Sequence, residues 1–99
     1  MKQLEKTITR KGFLYTQIDR TDEKAIYSQH YIDGGQLIGH EIFYIKIQKE
    51  GEFKGIHFEE KEHFPNDNDF GVIAWSVGKD LERAMKKYDN LPKLESKAA

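Results

Sequence analysis

Residues 57–63 hold the densest group of side chains that could bind a metal ion or transfer a proton. Two histidines and three glutamates lie there: His57, Glu59, Glu60, Glu62 and His63. Zinc accepts imidazole and carboxylate ligands. However, the stretch has no HExxH motif or other paired-histidine spacing, and His63 lies beyond the predicted end of the strand that carries His57. A solvated acidic strand end explains this pattern better, so we predict no metal ligands.

Other short patterns fall short of known catalytic or cofactor sites. Residues 66–69 resemble calcium ligands, but the EF-hand register lacks the glutamate that it needs at its twelfth position. Residues 78–80 resemble the end of a phosphate loop, yet no Ser or Thr follows the lysine. No serine lies in a nucleophile elbow, and nothing in the sequence pairs His30 or His40 with an activated partner. We therefore predict a protein that is not an enzyme and that uses no cofactor.

Aromatic side chains on one side of the predicted sheet are the strongest candidates for a binding surface. Tyrosine rings suit the stacking of single-stranded bases and are enriched at protein interfaces. The alternation of side chains along strands leaves four tyrosines, two histidines and a lysine at this face. These binding candidates are Tyr15, Tyr27, Tyr31, His40, Tyr44, Lys46 and His57. The alternative is a half-buried face closed by residues 1–11 or by a dimer partner.

Charge is balanced over the whole chain but uneven along it. The 16 basic and 17 acidic residues argue against a histone-like binder and against a wholesale DNA mimic. Residues 50–69 contain seven acidic and two basic residues, a local net charge of −5. Such asymmetry could steer a charged partner, although an ordinary mosaic surface would have the same composition.

Length and composition limit the class of protein. A chain of 99 residues is one domain with one modest core. The absence of cysteine excludes disulfides and thiolate chemistry. No apolar run approaches the roughly 20 residues of a membrane span, and the N-terminus lacks the apolar core of a signal peptide. We predict a soluble, cytoplasmic protein.

Apolar and polar residues alternate with period 2 over most of the chain, as in strands. Asp33-Gly34-Gly35 and Glu50-Gly51-Glu52 have the composition of hairpin turns. The longest β-biased run is residues 37–49, which is apolar on both sides and therefore expected to be central. The predicted strands cover residues 4–9, 13–20, about 24–32, 37–49, 53–60 and 70–77.

Helical spacing replaces this alternation near the C-terminus. The apolar residues at that spacing are Leu81, Ala84, Met85, Tyr88 and Leu91. Pro92 should stop the helix, and Ser76 or Gly78 should cap its start. Residues 93–99 have little to pack against and should fray.

Together these elements predict an α+β fold, a meander-like antiparallel sheet of five or six strands with one C-terminal helix packed on one face. Residues 1–92 would form this single domain, with 93–99 as a frayed tail. The helix is expected to cover the apolar side that the tyrosines leave: Phe43, Ile45, Ile47, Ile56, Phe58, Ile73 and Trp75.

Two fragments of the sequence are distinctive: residues 7–13 with Tyr15, and residues 70–72 with Trp75 and the helical segment 80–88. Together they resemble small uncharacterised proteins carried by bacteriophages and bacterial mobile elements. The resemblance implies a context of small accessory proteins that act by binding something larger. It brings no catalytic residues with it.

We predict a non-enzymatic binding protein, for example a phage-type accessory protein or inhibitor of a host factor, that acts through the aromatic sheet face. The expected partner is a protein or a second copy of the chain, with no membrane and no small-molecule substrate. The alternative is a module that binds single-stranded nucleic acid, although the chain lacks the glycine–aromatic signature of RNA-recognition sheets.

Overall fold

The computed structural model describes residues 2–92, which form nine short strands, one turn of 3-10 helix and one α-helix. The elements are β1 Thr7–Arg10, β2 Phe13–Arg20, β3 Lys24–Tyr31, β4 Leu37–Tyr44, β5 Lys46–Gln48, β6 Gly51–Phe53, β7 Ile56–Phe58, β8 Lys61–His63, the 3-10 turn Asp67–Asp69, β9 Ala74–Val77 and α1 Leu81–Asp89. Five strands form one antiparallel sheet in the order β1-β2-β3-β4-β9 with α1 packed against β3 and β4, so the predicted fold class is confirmed. The predicted fraying of 93–99 lies outside the described residues.

A Lys-Gly pair makes the turn in each of two hairpins. Lys54 and Gly55 both have positive φ, 51° and 80°. They join β6 to β7 as the two central residues of a turn, and the flanking residues pair across the strands. Two positive φ values in succession define the type I′ turn, which matches the twist of a hairpin. The predicted turn at residues 50–52 is therefore wrong, because the chain reverses three residues later.

The helix begins and ends on recognisable signals. Asp80 is the N-cap, and its side chain accepts a hydrogen bond of 3.2 Å from the backbone N–H of Arg83. The predicted caps, Ser76 and Gly78, are wrong. The helix ends at Asp89, shortly before Pro92. None of the helices in residues 2–92 is long and apolar enough to cross a membrane.

One face of the sheet packs against α1 through a small core. Ile26 and Ile42, both fully buried, contact Ala84 and Tyr88 of the helix. Residues directly opposite in antiparallel strands share a face, and Ile42 lies opposite Trp75. Trp75 therefore lies on the helix side of the sheet, at its margin.

The other face of the sheet is covered by the segment between β4 and β9. Phe64 of this segment packs on three aromatic rings, with centroids 5.0 Å from Tyr15, 5.6 Å from Tyr27 and 5.0 Å from Phe43. The prediction that α1 covers the side of the sheet that carries Phe43 is therefore wrong. The prediction of a single strand over residues 37–49 is also wrong. The chain leaves the sheet at Ile45 and folds back over it, so both faces are buried.

A buried ion pair holds this covering segment in place. Arg20 donates two hydrogen bonds to Glu62, of 2.5 and 2.7 Å, and the backbone N–H of Leu4 donates a third of 2.8 Å. The guanidinium beside Glu62 lowers the pKa of that carboxyl. One carboxylate therefore connects β2, β8 and the N-terminal segment.

Candidate binding surfaces

The structure separates the predicted binding candidates and buries most of them. Tyr15, Tyr27 and Tyr44 are 6%, 0% and 8% exposed, and His40 is 3% exposed. Tyr31, at 50%, is the most exposed of the four candidate tyrosines. The prediction of one open face shared by these side chains is therefore wrong, because the segment between β4 and β9 and the helix cover both sides.

Hydrogen bonds within the protein satisfy the polar ends of the buried tyrosines on the Phe64 side. The hydroxyl of Tyr27 donates to the backbone oxygen of Glu5 at 2.8 Å and accepts from Gln17 at 2.9 Å. The hydroxyl of Tyr15 accepts from Gln29 at 3.1 Å. Burial, followed by the nearby Glu41 carboxylate, raises the pKa of Tyr15 to about 12. These rings belong to the core.

The remaining candidates lie apart from that core. On the helix side, Tyr44 donates to the backbone oxygen of Pro92, and His40 Nδ1 lies 2.8 Å from the backbone oxygen of Gly78. Lys46 is 3.3 Å from a carboxylate oxygen of Asp69. His57 is exposed on β7.

The histidine and glutamate side chains of residues 57–63 also do not form one group. Glu62 forms an ion pair with Arg20, and His63 Nδ1 lies 2.7 Å from the backbone oxygen of Phe64. Within residues 2–92 no three His, Cys, Asp or Glu side chains are grouped so as to hold a metal ion.

Glu41 is a buried carboxyl that no sequence pattern singles out. It is 5% exposed, and none of residues 2–92 bonds its Oε2. Burial raises its pKa, and hydrogen bonding to Tyr15 opposes that rise. Glu41 points into the same side of the sheet as Tyr27, which lies opposite it on β3, so we treat it as part of the core.

A groove of about 550 Å³ lies between β9 and α1. Its walls combine apolar side chains with two cations, and none of the described residues that line it carries a carboxylate. We call this site the β9 groove. The residues that line it are Phe70, Gly71, Trp75, Ser76, Val77, Gly78, Arg83 and Lys87.

The backbone along the β9 groove is an open sheet edge, because β9 is the last strand of the sheet. Tyr44 N–H donates to the Ile73 carbonyl at 2.9 Å, so alternate residues from Ile73 onwards direct their backbone groups to β4. Ala74 and Ser76 face outwards. The Ala74 carbonyl accepts from Gly71 at 2.7 Å, whereas no other described residue bonds the outward N–H and C=O of Ser76.

Gly39 permits the close approach that places β9 at this edge. A Cβ atom at Gly39 would lie 2.7 Å from the backbone oxygen of Val77, closer than real contacts allow. Any larger residue at position 39 would push β9 away from β4. The geometry of the groove therefore depends on this glycine.

The cations of the β9 groove lie on one flank of the helix. Arg83 and Lys87 are four residues apart, so their side chains are neighbours on the helix surface. Lys87 Nζ lies 5.2 Å from the centroid of the Trp75 ring. Neither cation forms an ion pair within the described part of the chain. The groove is thus positively charged, and residues 2–92 supply no counter-ion to it.

A second exposed surface has the opposite charge. Strands β6 and β7 pair with each other outside the main sheet. Phe53 and Ile56 form a cross-strand pair beside the turn and are 62% and 67% exposed. Residues 50–60 carry four glutamates and one lysine, a net charge of −3 with histidine neutral. We call this element the acidic hairpin.

The sequence predicted neither the β9 groove nor the acidic hairpin, although each has a recognisable residue pattern. The cations at positions 83 and 87 have the i, i+4 spacing of one helix flank, but the helical pattern alone places them in solvent. A Lys-Gly pair between Phe53 and Ile56 is compatible with a two-residue turn, yet Asn-Gly or Asp-Gly is the usual signal.

Comparisons with known protein families, with curated proteins and with solved structures gave no match. The resemblance to phage and mobile-element proteins therefore stays a prediction.

Proposed function

We propose that this chain is a non-enzymatic binding protein that takes an extended, acidic segment of a partner polypeptide along the outer edge of β9. The observation that carries the proposal is the outward backbone of Ser76, which no other residue of 2–92 bonds and which lies beside two cations without an ion pair in that range. The phage-type accessory or inhibitor role and the cytoplasmic location are the biological setting that we propose for it.

The backbone supports strand addition. An extended peptide adds to an exposed sheet edge through main-chain hydrogen bonds, and alternate side chains give specificity. Natural edges are usually protected by short length, proline, charge or a bulge, and the short length of β9 limits a partner strand to a few main-chain bonds. The four residues of β9, Ala-Trp-Ser-Val, carry no proline and no charge. A partner strand would therefore find a donor and an acceptor at Ser76.

Charge supports an acidic peptide as the ligand. Arg83 can bind a carboxylate with two parallel hydrogen bonds, and Lys87 adds a second positive charge one turn away. Trp75 and Val77 provide apolar surface in the same groove. A segment in which acidic and apolar residues alternate matches this arrangement.

Single-stranded nucleic acid fits the groove less well. Base stacking needs an open aromatic face, and Lys87 already lies over one face of the Trp75 ring. The chain as a whole has a net charge of −1, which gives little general attraction for phosphate.

Fluorescence provides a direct test, because Trp75 is the only tryptophan in the chain. The probe is a synthetic peptide in which glutamate alternates with valine. It should change the Trp75 emission saturably, and a copy with N-methylated backbone amides should bind much more weakly. Replacing Arg83 and Lys87 with glutamate should weaken binding by at least about tenfold. Lys86→Glu changes charge on the same helix but outside the groove, so it should leave binding nearly unchanged.

Three results would count against the proposal. Equal binding of a lysine–valine peptide would remove the role of charge, and equal binding of the N-methylated peptide would remove strand addition. A stronger response to a single-stranded oligonucleotide than to the acidic peptide would favour the nucleic-acid alternative.

A further inference from the structure

The acidic hairpin and the β9 groove are complementary in charge. The hairpin segment, residues 50–60, has a net charge of −3, whereas the described lining of the groove has two cations and no carboxylate. Glu50 and Glu52 are both exposed on the hairpin. The other segment that could be considered, residues 93–99, carries two lysines and one glutamate, which is the wrong sign for this groove.

The two surfaces also have complementary backbone hydrogen-bonding groups. The hairpin is a two-stranded sheet, so β6 and β7 each have one unpaired edge. An isolated two-stranded hairpin is marginally stable in water. Adding one of its edges to β9 would supply partners for the outward backbone of Ser76 and would stabilise the hairpin.

Apolar surface completes the match. Phe53 and Ile56 are the most exposed apolar pair beside a turn in the described chain, at 62% and 67%. Glu52 and Phe53 are successive residues of β6 and point to opposite faces. With Glu52 towards Arg83 and Lys87, Phe53 and Ile56 face the other side of the sheet, where Phe70 packs on the Phe64 core. Contact between these groups would remove apolar area from water, at about 25 cal/mol for each Å² buried.

We infer that the segment bound in the β9 groove is the acidic hairpin of a second copy of this chain. The inference rests on the proposed function and specifies its partner. Each copy carries one hairpin and one groove, so two copies that exchange hairpins form a closed dimer, and one-way contacts form a head-to-tail chain. Both assemblies use the same contact.

A charge-swap experiment tests this contact in the full chain. Sedimentation velocity at low ionic strength should show the wild-type chain self-associating as its concentration rises, and added salt should reverse the association. Reversing the groove with Arg83→Glu and Lys87→Glu, or the hairpin with Glu50→Lys and Glu52→Lys, should each weaken self-association by at least about tenfold.

Combining the changes should restore association. A mixture of the groove variant and the hairpin variant should associate, because each supplies the charge that the other needs, and so should a chain that carries all four substitutions. Asp33→Lys, at an exposed turn residue that belongs to neither surface, is the matched control. Circular dichroism of each variant verifies the fold.

The outcomes separate this inference from the proposed function. A wild-type chain that stays monomeric up to millimolar concentration, yet binds the acidic peptide at Trp75, overturns the second-copy partner and leaves the proposed function standing. Failure of both experiments overturns both. Self-association that the charge reversals do not change, or that the combined changes do not restore, overturns the inference by locating the contact elsewhere.

Discussion

The two faces of the central sheet are buried in different ways. The helix side is a small core of Ile26, Ile42, Ala84 and Tyr88, covered by one regular element. The opposite side is an aromatic core around Phe64, covered by short strands and irregular chain. A regular cover is held mainly by its apolar stripe, whereas the irregular cover also depends on a buried ion pair. The two sides should therefore respond differently to substitution.

Removing the ring that seals the aromatic core should have the largest effect. Phe64 contacts three aromatic rings and is 8% exposed, so Phe64→Ala should lower the free energy of unfolding by about 3–5 kcal/mol. Val72→Ala, at 70% exposure, is the control and should change it by less than about 0.5 kcal/mol. Chemical denaturation measures both, and equal losses would contradict this account of the core.

Breaking the Arg20–Glu62 ion pair should have the next largest effect on the free energy of unfolding. Glu62→Gln leaves the Arg20 guanidinium, whose side chain is 18% exposed, without its carboxylate. We expect the free energy of unfolding to fall by about 2–3 kcal/mol. Asp67→Asn removes the exposed partner of Lys11 and should leave stability nearly unchanged. A similar result for both variants would mean that burial does not set the strength of these pairs.

The helix side should tolerate the loss of its cap. Asp80→Ala removes the acceptor for the Arg83 N–H and should cost about 1 kcal/mol. Helical circular dichroism should fall before the aromatic signal of the Phe64 core does. Simultaneous loss of both signals would show that the two sides unfold as one unit at this end of the chain.

Stability should vary with pH in opposite directions for two glutamates. The pKa of Glu62 is lowered from 4.5, so its contribution is present above that value and is lost as the pH falls through the folded-state pKa. The pKa of Glu41 is raised from 4.5, so the folded state holds its proton more tightly, and stability falls as the pH rises above that value. Stability should therefore peak in mildly acidic solution.

Two variants separate these contributions in urea titrations at several pH values. Glu41→Gln should remove the decline on the alkaline side of the maximum. Glu62→Gln should flatten the rise on its acidic side. A Glu41→Gln profile that still declines with the wild-type slope would assign that decline to another group.

The periodic spacing of apolar residues predicted regular elements such as α1 and β2. It did not predict the chain segment that covers the Phe64 core. Helical spacing at residues 81–91 and alternation at 13–20 give the helix and β2 because each element buries a stripe of its own. The cover around Phe64 has no such period, since its position depends on Arg20 and Glu62, which are distant in sequence. Alternation alone also cannot tell an open tyrosine face from a sealed one, and this is why Tyr15 and Tyr27 were misplaced.

The Arg20–Glu62 pair also bears on the order of folding. Its members are 42 positions apart, so closing that loop costs more chain entropy than closing the β2–β3 hairpin does. We expect the pair to form after the rate-limiting transition state. Glu62→Gln should then leave the refolding rate almost unchanged and accelerate unfolding, which would make this carboxylate a determinant of how long the native state lasts.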